Sequence, residues 1–200
     1  MPRLLPALAA LALLAPLSAC EDRAASPTLA ERAAGLQAGL VDTLVVGGRP
    51  EAVAVREASG ATFPLPFTLR VPAPMAVTTE RTAAGETVRL SMGAPPADAA
   101  WSLTLLAAGT TDADALAAAT DAAQALGAAM ADSTAPATAR AAFRTAAEGR
   151  TGSVWLGRHA GRLFVVSASA ADAARAAFEP RAAYLLQQWR WTDDGSALGG

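Results

Sequence analysis

Leu163-Phe164-Val165-Val166-Ser167-Ala168 constrains this chain more than any other stretch, because it is apolar on both faces of an extended backbone. Successive side chains of a strand point to opposite faces, so Leu163 and Val165 need one cover while Phe164 and Val166 need another. Trp101 to Ala107 makes the same demand, with Trp101, Leu103 and Leu105 on one side and Leu106 on the other. Two such strands belong at the centre of a sheet that is covered on both sides. Other stretches have one wet face. Phe67, Leu69 and Val71 alternate with Thr68 and Arg70, and Val88, Leu90 and Met92 alternate with Thr87, Arg89 and Ser91. Ala83-Ala84-Gly85-Glu86 reads as one hairpin tip, and Arg158-His159-Ala160-Gly161-Arg162 as another, between Ser153-Val154-Trp155-Leu156-Gly157 and the run from Leu163 to Ser169.

The covers are expected to be helices. Thr111 precedes Asp112-Ala113-Asp114 as an N-cap with acids in the first turn, and Leu116, Ala119, Ala123, Leu126 and Met130 make one narrow stripe. Pro136 can open a second helix that turns Ala139 and Phe143 inward. A last helix from about Ala171 to Trp191 presents Phe178, Ala182, Leu185 and Trp189, with Pro180 kinking or dividing it. Upstream, Leu29, Ala33, Leu36, Leu40 and Leu44 predict a helix near 28–44 that Gly47-Gly48-Arg49-Pro50 stops as a plain turn. The expected fold class is therefore α+β: an antiparallel β-sheet flanked by helices on both faces, an α/β/α sandwich.

The N-terminus carries an address. Arg3 and the apolar run Leu4 to Leu17, too short to span a bilayer, have the form of a secretory signal peptide. It ends in Leu17-Ser18-Ala19-Cys20, similar to a bacterial lipoprotein signal, in which the Cys becomes the acylated first residue. No other Cys occurs. Acylation would remove a lone thiol from an oxidising compartment, and more than one acyl chain gives stable anchoring. The expected organisation is a signal peptide over 1–19, then lipidated Cys20, tether and N-terminal helix or strand extension over 20–62. A folded domain over 63–191 and a disordered, polar, Gly-rich tail over 192–200 follow. The expected location is the bacterial cell envelope, inner or outer membrane left open.

Composition excludes several classes. All 16 basic residues are Arg, and Ala supplies 55 of the 200 residues, a bias that points to GC-rich codons. With 18 acids the chain has a formal charge of -2, against a strongly basic nucleic-acid binder. One Cys and one His argue against a disulfide scaffold and a zinc finger.

The order of elements, with the phrases Pro66-Phe67-Thr68-Leu69-Arg70-Val71-Pro72 and Leu163-Phe164-Val165-Val166-Ser167-Ala168-Ser169 and a closing helix that ends in Trp, resembles the PsbP-like exported proteins over residues 63–191. That resemblance implies an α/β/α sandwich with a binding or assembly role, and it carries no catalytic residues to this chain.

No catalytic constellation is visible, and the expectation is no enzyme, no cofactor and no metal. His159 reads as a solvated turn residue, since a general base or ligand needs partners. Asp112-x-Asp114 reads as helix capping, and Asp193-Asp194-Gly195-Ser196 lacks the spacing of a calcium loop. Ser153, Ser167 and Ser169 read as strand residues, Trp155, Trp189 and Trp191 as core or rim. One charge feature stands out: Arg140, Arg144, Arg150, Arg158 and Arg162 fall within 23 residues in which Glu148 is the only acid. It reads either as a solvated face with Arg144 and Glu148 paired at i, i+4, or as a patch for an anionic envelope partner. The functional expectation is a membrane-tethered, non-catalytic binding or assembly accessory, without nucleic acid. A small envelope hydrolase, or a carrier of lipid or small molecules, is the alternative.

Overall fold

A computed structural model describes residues 40–82, 84–93, 98–127, 141–147 and 149–198. Six antiparallel strands form the larger sheet: β4 (Ala76–Thr82), β5 (Gly85–Met92), β6 (Ala99–Leu106), β7 (Ala141–Ala147), β8 (Arg150–His159) and β9 (Arg162–Ala171), in the order β4-β5-β6-β9-β8-β7. The two strands with two dry faces, β6 and β9, pair at its centre, Leu103 opposite Val166. A smaller antiparallel sheet contains β1 (Leu40–Val46), β2 (Arg49–Ser59), β3 (Phe67–Pro72) and β10 (Arg190–Trp191), in the order β1-β2-β3-β10. Two helices complete the described residues, α1 (Asp112–Ala125) and α2 (Asp172–Gln188).

Each face of the large sheet has a different cover. On one, Ala115, Ala119 and Ala123 of α1 pack on Leu106, Phe143, Val154, Leu156, Leu163 and Val165. On the other, Trp101, Leu103, Leu105, Phe164 and Val166 meet Phe178 and Leu185 of α2 together with Phe67, Leu69 and Val71 of the small sheet. The centre of this second layer is aromatic. Trp189 stacks on Phe67 at 4.1 Å between ring centroids and lies 5.7 Å from Trp101 and 5.3 Å from Trp191. Burying each large apolar side chain contributes about 1.5–3 kcal/mol, so this cluster dominates the stability of the layer. A third cluster joins Leu44, Val53 and Val55 to Tyr184 of α2.

The architecture corrects the expected α/β/α sandwich. The second cover of the large sheet is shared between one helix and a second sheet, and the mostly β chain is not a single sheet flanked by helices. The helix expected near 28–44 is contradicted at its end, where Leu40–Val46 is a strand; 28–39 lie outside the described residues. The cause is arithmetic: a spacing of four fits a helical stripe and also every second pair of a strand, so Leu40 and Leu44 satisfy both. Buried Leu44 alternates with Val41 and Val45, 68% and 62% exposed. Gly47 and Gly48, both at positive φ, turn β1 into β2 rather than stop a helix. The helix expected after Pro136 is contradicted at Phe143, which lies in β7 with Thr145 buried two residues on. Pro136 and Ala139 lie outside the described residues.

Smaller differences follow from packing. Leu116 is 45% exposed and Ala115 takes its place against the sheet. Thr111 does cap α1, accepting from the Asp114 amide at 3.2 Å. Pro180 lies inside α2, which is not divided. β2 pairs with β3 across the expected boundary at residue 62, Ala58 opposite Leu69. The expected disordered tail is folded as far as Leu198, which is buried, and Thr192 donates from its amide to the Pro66 carbonyl at 3.0 Å. Polar, Gly-rich sequence there builds turns: the Ser196 amide donates to Asp194 Oδ1 at 2.8 Å.

Candidate functional site

One flank of α2 overhangs the outer strands of the large sheet without filling the space beneath it. Arg175, Glu179, Ala182 and Leu186 recur at spacings of 4, 3 and 4, which puts them on one stripe of the helix. They face Ala142 and Ala146 of β7, Thr151, Ser153 and Trp155 of β8, and Ala168 and Ala170 of β9 across a cleft of about 640 Å³. Small side chains on both walls are the cause, since helices pack on sheets at a separation that larger residues would bridge. Trp155 and Phe178 supply the aromatic part of the lining. Arg175 donates to Glu179 at 2.6 Å, and this carboxylate holds the guanidinium pKa above its ordinary value. Thr145 also belongs to the wall; its buried Oγ1 has no hydrogen-bond partner among the described residues.

The far end of β8 is different. Ala160 and Gly161, at φ of 46° and 75°, form the two-residue turn that joins β8 to β9. His159 beside it is not the solvated turn residue expected: its side chain is 11% exposed. Its ring lies parallel to Trp191 at 4.7 Å and an interplanar angle of 6°. Nε2 is 2.9 and 3.0 Å from the two carboxylate oxygens of Asp193, and 4.0 Å from Asp194 Oδ1. The Ser196 amide and hydroxyl hold the Asp194 carboxyl below the ordinary carboxylate range. Reasoning along the chain missed this cluster because its members are 34 residues apart and meet only when β10 pairs with β3 and delivers the turn after Trp191.

The described arginines of the Arg-rich segment do not form one patch. Arg150 and Arg158 lie on the same strand eight positions apart, about 26 Å at the usual rise. Arg158 pairs with Asp112 of α1. Arg162 donates to the Leu106 carbonyl at 2.6 Å, its Nε buried without a partner among the described residues. Arg150 is 3.4 Å from Ser169 Oγ, and Arg144 lines the cleft. Extended backbone is the reason: Arg144, Arg150, Arg158 and Arg162, close in sequence, are spread over the length of a sheet. The helix expected to carry Arg144 is corrected, since Arg144 lies on β7; its expected pairing with Glu148 falls outside the described residues, as do Glu148 and Arg140.

Ser153, Ser167 and Ser169 are strand residues, as read from sequence, and Ser167 bonds Ser102 at 2.7 Å. Trp189 and Trp191 are core, while Trp155 lines the cleft. Cys20 lies outside the described residues. No helix of the described residues is long and apolar enough to cross a membrane. No family model, curated protein or solved structure matches this chain.

Proposed function

We propose that this protein is a lipid-anchored, non-catalytic binding protein of the bacterial envelope, holding a largely apolar ligand in the cleft beneath α2. The cleft carries the reading. It has the size of a small-molecule site, and its walls combine apolar and aromatic side chains with a few polar ones. Leu17-Ser18-Ala19-Cys20 supports the anchor, and the formal charge of -3 that remains after residue 19 suits a domain held in water beside a membrane.

Two measurements test the two halves separately. Intact mass of the mature protein should begin at an acylated Cys20, and Cys20→Ser should move the chain from membrane to soluble fractions; an unmodified Cys20 would overturn the anchor. Fluorescence of 1-anilinonaphthalene-8-sulfonate added to the unacylated full chain should rise on binding. Ala182→Leu, which adds three carbons to the helix wall and narrows the cleft, should weaken the rise. Equal binding by the variant would place the probe elsewhere and remove the cleft from the proposal.

A further inference from the structure

We propose that His159, Asp193 and Asp194 form a binding site for a single divalent cation of the zinc class. One ligand atom from each lies within 4.8 Å of the others. Ligands at about 2.0–2.2 Å from a metal lie roughly 2.9–3.6 Å from one another. The separations of 2.9 and 3.0 Å from Nε2 to Asp193 already match, and the 4.0 Å to Asp194 needs a small rotation of one exposed side chain. Charge points the same way. Two carboxylates bring -2, and an imidazole can answer with at most +1, whereas a divalent ion on a neutral imidazole balances the set.

The site is prepared on one side and open on the other. Stacking on Trp191 fixes the imidazole plane, and the Asp194 amide donates to Asp193 Oδ1 at 3.0 Å while the Ser196 amide donates to Asp194. Such outer contacts orient ligands and are commonly worth about 10–100-fold in affinity. The carboxylates, 46% and 55% exposed, give the ion a path in. Imidazole nitrogen with carboxylate oxygen selects a borderline ion over calcium or magnesium, which take oxygen ligands. Three protein ligands leave at least one position for water or an external donor. The site lies at the tip end of β8, four residues and about 13 Å along the strand from Trp155 at the cleft, and does not depend on the cleft binding anything.

His159 is the only histidine, so its ring protons report binding without assignment. The experiment is a zinc titration of the full chain carrying Cys20→Ser, which removes the only thiol, followed by proton NMR of the imidazole. The imidazole signals should shift and saturate at one equivalent. Asp193→Asn and Asp194→Asn should each weaken binding at least tenfold while the dispersed amide spectrum of the folded chain persists. Calcium should leave the signals in place. No shift in tenfold excess of zinc overturns the site, as does unchanged affinity in both variants, which would mean the imidazole binds alone. A calcium response at lower concentration than zinc overturns the assigned ion class.

Discussion

The two flanks of α2 cover the same sheet with opposite results. One carries Leu185 into the cluster of Phe67, Trp101 and Trp189 and leaves no space; the other carries Ala182 over Ala142, Ala168 and Ala170 and leaves a cleft, with Phe178 between them bordering both. Backbone geometry is shared, so side-chain volume decides which part of the layer is core and which is a site. An alanine-rich composition, imposed on the whole chain, has its structural effect only where alanines face one another across a layer.

The largest effect should come from the filled side. Val166→Asp puts an unpaired carboxylate between β9 and the layer of α2 and the small sheet, at a cost of several kcal/mol, and should abolish the cooperative unfolding transition in urea. Trp189→Ala should remove about 3–5 kcal/mol by the same assay, and a loss under 1 kcal/mol would mean that the aromatic cluster does not hold the layer. The sharpest comparison uses one substitution in two settings. Ala115→Leu overfills a closed contact and should cost about 1–3 kcal/mol, whereas Ala182→Leu enters open space and should be neutral or stabilising. Equal losses at the two positions would show that the cleft is closed in solution.

The smallest effect concerns the third cluster, where the Tyr184 hydroxyl donates to Asp42 at 2.8 Å. Burial, aided by that carboxylate, pushes the Tyr184 pKa up to about 12, and the donated bond holds Asp42 below its ordinary value. The folded state therefore keeps a proton that an unfolded tyrosine loses near 10.0, and stability falls as pH rises from 10 to 12. Tyr184→Phe should cost about 1 kcal/mol at neutral pH and flatten that alkaline decline. A decline of the same slope in the variant would assign it to other groups.

Much of the large sheet was legible along the chain. Doubly apolar runs at Trp101 and Leu163 located the central strands, the Ala160-Gly161 turn located the hairpin, and Thr111 located the start of α1, because each is a local signal. Leu40 and Leu44 misled because their spacing serves both periods, and Phe143 misled because its alanine neighbours mark no face. The cleft left only the stripe of Arg175, Glu179, Ala182 and Leu186, whose small member reads as a helix former rather than a wall. His159 and Asp193 carried no local signal at all, since their proximity is a product of how β10 closes the small sheet.

That closure also sets an order of events for the growing chain. β3 pairs with β10, more than a hundred residues later, and Tyr184 and Trp189 complete the clusters that β1, β2 and β3 begin. Synthesis delivers residues 40–72 before the rest of the described domain, and their apolar faces stay incompletely covered until α2 and β10 emerge. Contacts of such long sequence separation form slowly and leave the early strands exposed meanwhile. A ribosome stalled before residue 172 would display a sheet with half its interior still unmade, a natural target for a holding chaperone and a window in which the chain remains threadable.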